Sequence, residues 1–156
     1  MSMAELLFEL PSIEGWETRL QVTYIAPPEP PDPNLPPDVV LEATPRRNIV
    51  VSRTLATDKD AAAAWSTFLS QTARAVPDLN VVTPPEDITF DDGVSGVIAQ
   101  ISFPALASVR LRRFHAFRID GPLLTQLVAT VDEAGDPSKS EELRQKLFKF
   151  APHRGG

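Results

Sequence analysis

The sequence contains no cysteine and only two histidines, His115 and His153. The first absence excludes disulfides and thiolate metal sites. The second leaves few bases for a nucleophile, which needs one within hydrogen-bond reach; His115, the only credible one, sits mid-strand among arginines. Cations are outnumbered, 15 Lys and Arg against 21 Asp and Glu, for a net charge of −6. That balance argues against nucleic acid, whose phosphates require clustered basic groups. No apolar run approaches the ~18 residues that a membrane span needs. The N-terminus "MSMAELLFELPSIEG" has acids but no basic segment ahead of an apolar core, so it does not read as a signal peptide. The expectation is a soluble cytoplasmic protein with no stable membrane insertion. Motifs of catalysis are missing too: no HExxH, no glycine-rich phosphate loop, no GxSxG. The acidic stretch "PEDITFDDG" lacks the alternating ligands of a calcium loop and carries an apolar "ITF" in its middle. No enzyme, cofactor or metal is expected.

What the chain does have is proline, 16 in all. Seven fall in "APPEPPDPNLPP", residues 26–37. Proline removes a backbone donor and fixes φ, so this stretch cannot join a sheet and reads as an extended loop. It lies between two strand-like runs, "TRLQVTYIA" (18–26) and "RNIVVSRTL" (47–55), too short for a separate domain on either side. A loose PxxP spacing also leaves a proline-reading partner open. With 156 residues the chain fits one domain, 1–156, since domains commonly span ~50 to ~250 residues. "APHRGG", residues 151–156, reads as a frayed tail.

Along the rest of the chain, "LLFEL" (6–10) reads as a short strand. "TDKDAAAAWSTFLSQTARAVP" (57–77) is the clearest helix, with Thr57 as its cap and Asp60 in a capping-box position. Ala61, Trp65, Phe68, Leu69, Thr72 and Val76 form its apolar stripe. "LNVV" (79–82), a turn at "TPPED" and "ITFDDG" follow. Then come strands at 94–103, 108–120 and 123–133, joined closely enough to pair as an antiparallel meander. "SKSEELRQKLFKF" (138–150) reads as a second helix capped by Ser140, with Leu143, Leu147 and Phe150 as its stripe. The arginines of "VRLRRFHAFR" read as the solvated edge or face of a strand. Helix stripe plus antiparallel sheet predict a two-layer α+β domain, a twisted sheet packed by one long helix plus a C-terminal helix.

The sheet carries an unusual pattern. In "VIAQISF", Val97, Ala99, Ile101 and Phe103 share one face, and Ile98, Gln100 and Ser102 the other. In "LLTQLVATV", Leu123, Thr125, Leu127, Ala129 and Val131 alternate with Leu124, Gln126, Val128 and Thr130. A one-sided antiparallel sheet shows water clearly polar residues. Here the second face is small, semi-apolar and punctuated by amides, so it is either covered, by a helix or a dimer mate, or a binding face.

The run "IVVSRTLATDKDAAAAWSTFLSQTARAVPDLNVV", followed by "FDDGVSGVIAQISF" and "VRLRRFHAFRIDGPLLTQLVATV", resembles the DcrB and Eag-like proteins over roughly residues 5–150. The proline insertion departs from that pattern. The resemblance implies a PsbP-like fold and, for the Eag branch, a cytoplasmic homodimeric chaperone of type VI secretion. Such a chaperone shields the N-terminal transmembrane helices of an effector and aids its loading onto the spike protein. It implies client contacts at Gln100, Val22 and Tyr24; facing alone adds Ile98, Gln126 and Val128. The DcrB branch is envelope-associated, which a chain with no signal peptide or lipid-attachment cysteine fits poorly. The alternative is an immunity-type binding protein that covers a toxin through the acidic loops around Asp87, Asp91 and Asp92.

Overall fold

In the computed structural model, residues 13–15, 20–26, 47–105, 110–132 and 137–151 are described. The expected strand at 6–10, nearly all of the proline segment and the end of the tail lie outside them. The chain runs β1 (Leu20–Ile25), β2 (Asn48–Leu55), α1 (Ala61–Ala75), β3 (Asn80–Thr89), β4 (Ser95–Pro104), β5 (Arg110–Asp120), β6 (Leu123–Asp132) and α2 (Pro137–Leu147). The strands form one antiparallel sheet in the order β1-β2-β6-β5-β4-β3. This is an α+β fold, with the expected meander at its centre.

Each helix takes its own face of the sheet. Trp65 and Ala64 of α1 pack with Val97, Ala99, Ile101, Phe117 and Leu124. Leu143 and Leu147 of α2 pack with Ile98, Phe114, Ala116, Leu127, Ala129 and Val131. The two sets alternate along β4 and β5 because successive strand side chains point to opposite faces. Burying each such large side chain contributes about 1.5–3 kcal/mol. The cross-strand register then assigns every other position to a face. The more apolar face of β6, with Leu127, Ala129 and Val131, turns to α2 and not, as expected, to the Trp65 helix.

Several local expectations need correction. The cap of α1 is Asp60, whose Oδ1 accepts from Ala63 N–H at 2.8 Å; Thr57 lies outside the helix. α2 begins at Pro137, so Ser140 falls inside it, and it ends at Leu147. "TPPED" is no turn: β3 runs through Pro84 and Pro85, with register shifts on either side of Thr83. An edge strand tolerates prolines because one row of its donors has no ladder partner to lose. The arginine-rich strand, β5, lies between β4 and β6 instead of at an edge.

At the β3–β4 turn, Gly96 is required by close approach. A Cβ there would strike the Phe117 carbonyl and lie 2.7 Å from the Phe90 ring. The β5–β6 turn puts Gly121 at φ 56°, the left-handed geometry a two-residue hairpin loop demands.

Candidate binding face

Register carries the face assignment out to the edges. Val22 pairs with Val51, Tyr24 with Ile49, and these β2 residues pair with Leu127 and Ala129. Gln100 pairs with Phe114 and Ile98 with Ala116. Val22, Tyr24, Ile98 and Gln100 therefore share the α2-bearing face. Gln126 and Val128 do not join them: they pair with Phe117 and His115 and stand on the α1-bearing face. The six expected contacts thus divide between two surfaces, because β6 enters the sheet with the opposite phase from that assumed.

On the α2-bearing face, α2 packs over β6 and divides the surface into two flanks. Tyr24 and Gln100 stand four strands apart, about 19 Å at the usual strand spacing. On the β1–β2 flank, Val22 and Val51 are half-buried and Tyr24 is 49% exposed. The Phe150 ring stands edge-on to Tyr24 at 5.4 Å. On the other flank, Ile98 is buried core, 3% exposed, and reachable only if its neighbours move. Gln100 lines a cavity of about 20 Å³ with Thr83, Glu86, Ile98, Phe114 and Arg144. That volume suits a single water. Gln100 Oε1 is buried there with no hydrogen-bond partner.

The α1-bearing face is covered by α1 over β4 and β5. Its β1–β2–β6 half carries Thr23, Ile25, Val50, Ser52, Gln126 and Val128, with Ile25 60% exposed. None of these residues is charged. This is the amide-punctuated pattern read from β6, on the face opposite Gln100.

Two cations held in the sheet, one fully buried and one half-buried, were not foreseen. Arg118 reads from sequence as one of a solvated set, yet its side chain is fully buried. It makes five hydrogen bonds of 2.7–3.0 Å, to both carboxylate oxygens of Asp92, both of Asp120 and the Phe150 carbonyl. Its guanidinium also lies 4.7 Å over the Phe90 ring. Burial alone would lower its pKa, but the hydrogen bonds and charges of Asp120 and Asp92 hold it above its ordinary value. Asp92, one of the acids in the loops that the immunity alternative would use, is a counter-ion of Arg118. Arg118 ties the β3–β4 turn and the chain after α2 to one end of the sheet. The other is Arg53, half-buried on the α2-bearing face, whose Nε has no partner. A clue to both was available, since Arg53 follows Val51, and Arg118 follows Phe114 and Ala116, on an otherwise apolar strand face.

His115 lies under α1 at 2% exposure, 4.6 Å from the Phe68 ring and 6.1 Å from that of Trp65. Neither ring nitrogen has a partner. Burial, and after it the charge of Arg113, lower its pKa to about 3. A base held neutral and sealed under aromatic rings packs the core. Among the described residues no group of His, Asp or Glu is placed to hold a metal ion, and no helix is long and apolar enough to cross a membrane.

No family model matches the chain, and no curated protein matches it closely enough to count as a relative. Among solved structures it is similar to a Pseudomonas aeruginosa protein of unknown function, described as a candidate regulator. The TM-score is 0.69 at 16% identity, over 95% of this chain and 92% of that one. At that identity the likeness extends to the fold.

Proposed function

We propose that this protein is a chaperone and adaptor of the Eag kind. It shields the N-terminal transmembrane helices of a type VI secretion effector in the cytoplasm, works as a homodimer, and aids loading onto the spike protein. The observation that carries the reading is the α2-bearing face. Val22, Tyr24 and Gln100, the three positions named by resemblance, share this face although β1 and β4 lie on opposite sides of α2. An apolar helix out of lipid needs such a surface, and its small polar groups need hydrogen-bonding partners as they do within a bilayer. Gln100 offers an acceptor with no donor of its own; leaving one unsatisfied costs about 1–3 kcal/mol. A client hydroxyl or amide would recover part of that. A client helix would lie on the β1–β2 flank, where Tyr24 is 49% exposed; on the other side Arg144 of α2 reaches Glu86 of β3 and would have to move to admit one.

The test is affinity capture from the native cell lysate, with partners identified by mass spectrometry. The expected partner has N-terminal apolar helices, and its capture is lost when those helices are deleted. With that partner in hand, Gln100→Ala should weaken binding roughly tenfold, about 1.4 kcal/mol, while the chain stays folded. A partner held through a catalytic domain would sink the chaperone reading in favour of the immunity one, as would indifference of binding to the apolar helices.

A further inference from the structure

One cross-strand row on the α2-bearing face is unlike the others. Leu20 pairs with Arg53, Arg53 with Thr125, and Thr125 with Arg118. Two arginines thus stand on one face with a threonine on the strand between them. Their circumstances differ. Arg118 uses its donors on Asp92, Asp120 and the Phe150 carbonyl. Arg53 Nε is buried with no partner, and beside it Thr125 Oγ1 is likewise buried with none. Thr125 is only 5% exposed; Arg53 as a residue is half-buried, but its Nε is sealed like Thr125 Oγ1, so a ligand reaching these two donors has to displace what covers them. Native folds rarely leave buried polar atoms without partners, and those left over call for an explanation. Here they are a guanidinium edge and a hydroxyl, both able to donate, on neighbouring strands and next to the apolar residues Val22, Val51 and Leu127. The Arg118 cluster supplies negative charge nearby, but its carboxylates are turned to Arg118 and satisfy none of these donors.

We propose that Arg53 and Thr125 form a carboxylate-binding site at the end of the apolar face, filled by an acidic side chain that flanks the client's apolar helix. A carboxylate matches a guanidinium edge with two parallel hydrogen bonds, and the Thr125 hydroxyl supplies a third donor. The site would fix which end of the client helix lies toward the β5–β6 turn, since the rest of the floor is apolar and reads no direction. The identity of the carboxylate's owner rests on the chaperone reading; the anion site itself does not.

The test therefore has two arms. In the first, acetate is titrated into the full chain and the Arg53 Nε–H resonance, assigned with Arg53→Lys, is followed by NMR. A saturable shift, diminished in Thr125→Val, is expected; a resonance that acetate leaves unmoved, or moves only linearly as salt does, overturns the site. In the second, two lysine-capped apolar helical peptides are compared by fluorescence anisotropy, one with a Glu just beyond the apolar stretch and one with Gln there. The Glu peptide should bind at least tenfold more tightly, and Arg53→Gln should abolish the difference without weakening the Gln peptide. A preference that survives Arg53→Gln, or none in the parent, overturns the assignment to the client. Acetate binding with no binding of either peptide would leave the anion site standing and remove the chaperone reading.

Discussion

Acidification should weaken this fold through one residue. His115 is buried beneath Trp65 and Phe68 of α1, and its imidazole stays neutral down to about pH 3. In the unfolded chain it titrates near the ordinary ~6.5. Between those two values the unfolded chain binds a proton that the folded one refuses. Stability conferred by the neutral ring is therefore complete above pH ~6.5 and declines as pH falls toward 3. The slope approaches 1.4 kcal/mol per pH unit, so moving from pH 8 to pH 5 should cost about 2 kcal/mol. The assay is urea unfolding by tryptophan fluorescence from pH 8 to pH 5, on the parent and on His115→Leu. Every other titrating group, His153 included, is common to both chains. The stability difference between them should shift by about 2 kcal/mol in favour of the variant on acidification. Parallel pH profiles would refute the reasoning and mean that the ring finds a proton-accepting route or water in the fold.

Replacing Arg118 by Ala would leave Asp92 and Asp120 facing each other without their counter-ion and the Phe150 carbonyl without its donor. A loss of about 3–5 kcal/mol is expected in the same unfolding assay, and Arg118→Lys should not restore it, since an ammonium cannot reproduce the bidentate pairs; a loss below about 1 kcal/mol would contradict so tight a cluster. At the start of α1, Asp60→Ala should cost about 1 kcal/mol as a lost cap, whereas Thr57→Ala should change stability little, reversing the order that the sequence pattern favours.

The elements were legible where their signals were local. Trp65, Phe68, Leu69 and Thr72 repeat at helical spacing, and α1 lies where they put it. The alternation in 94–103 and 123–133 gave strands β4 and β6, and the short turn at Gly121 gave their antiparallel order with β5. Failures came where a local signal met a tertiary one. Pro84 and Pro85 look like a turn, but an edge strand has donors to spare and absorbs them. Asp60 outcompetes Thr57 because the first helical turn begins one residue after it, a matter of a single turn that propensity does not resolve. Of the candidate contacts, Val22 shares a face with Tyr24, and Ile98 with Gln100, because residues two apart on a strand point the same way.

The amino-acid sequence by itself determined the class of the fold, the long helix, the meander and the alternation within each strand, because each depends on residues within a few positions of one another. Only the tertiary structure decided how those alternations are phased against each other across six strands. A shift of one residue in register turns a strand's whole side-chain set to the opposite face, and so Gln126 and Val128 part company with Gln100. The same phasing brings Arg118 to Asp92 and Asp120, leaves Arg53 and Thr125 with unused donors, and sends the two helices to opposite faces. These relations join residues tens of positions apart, where no period in the chain records them.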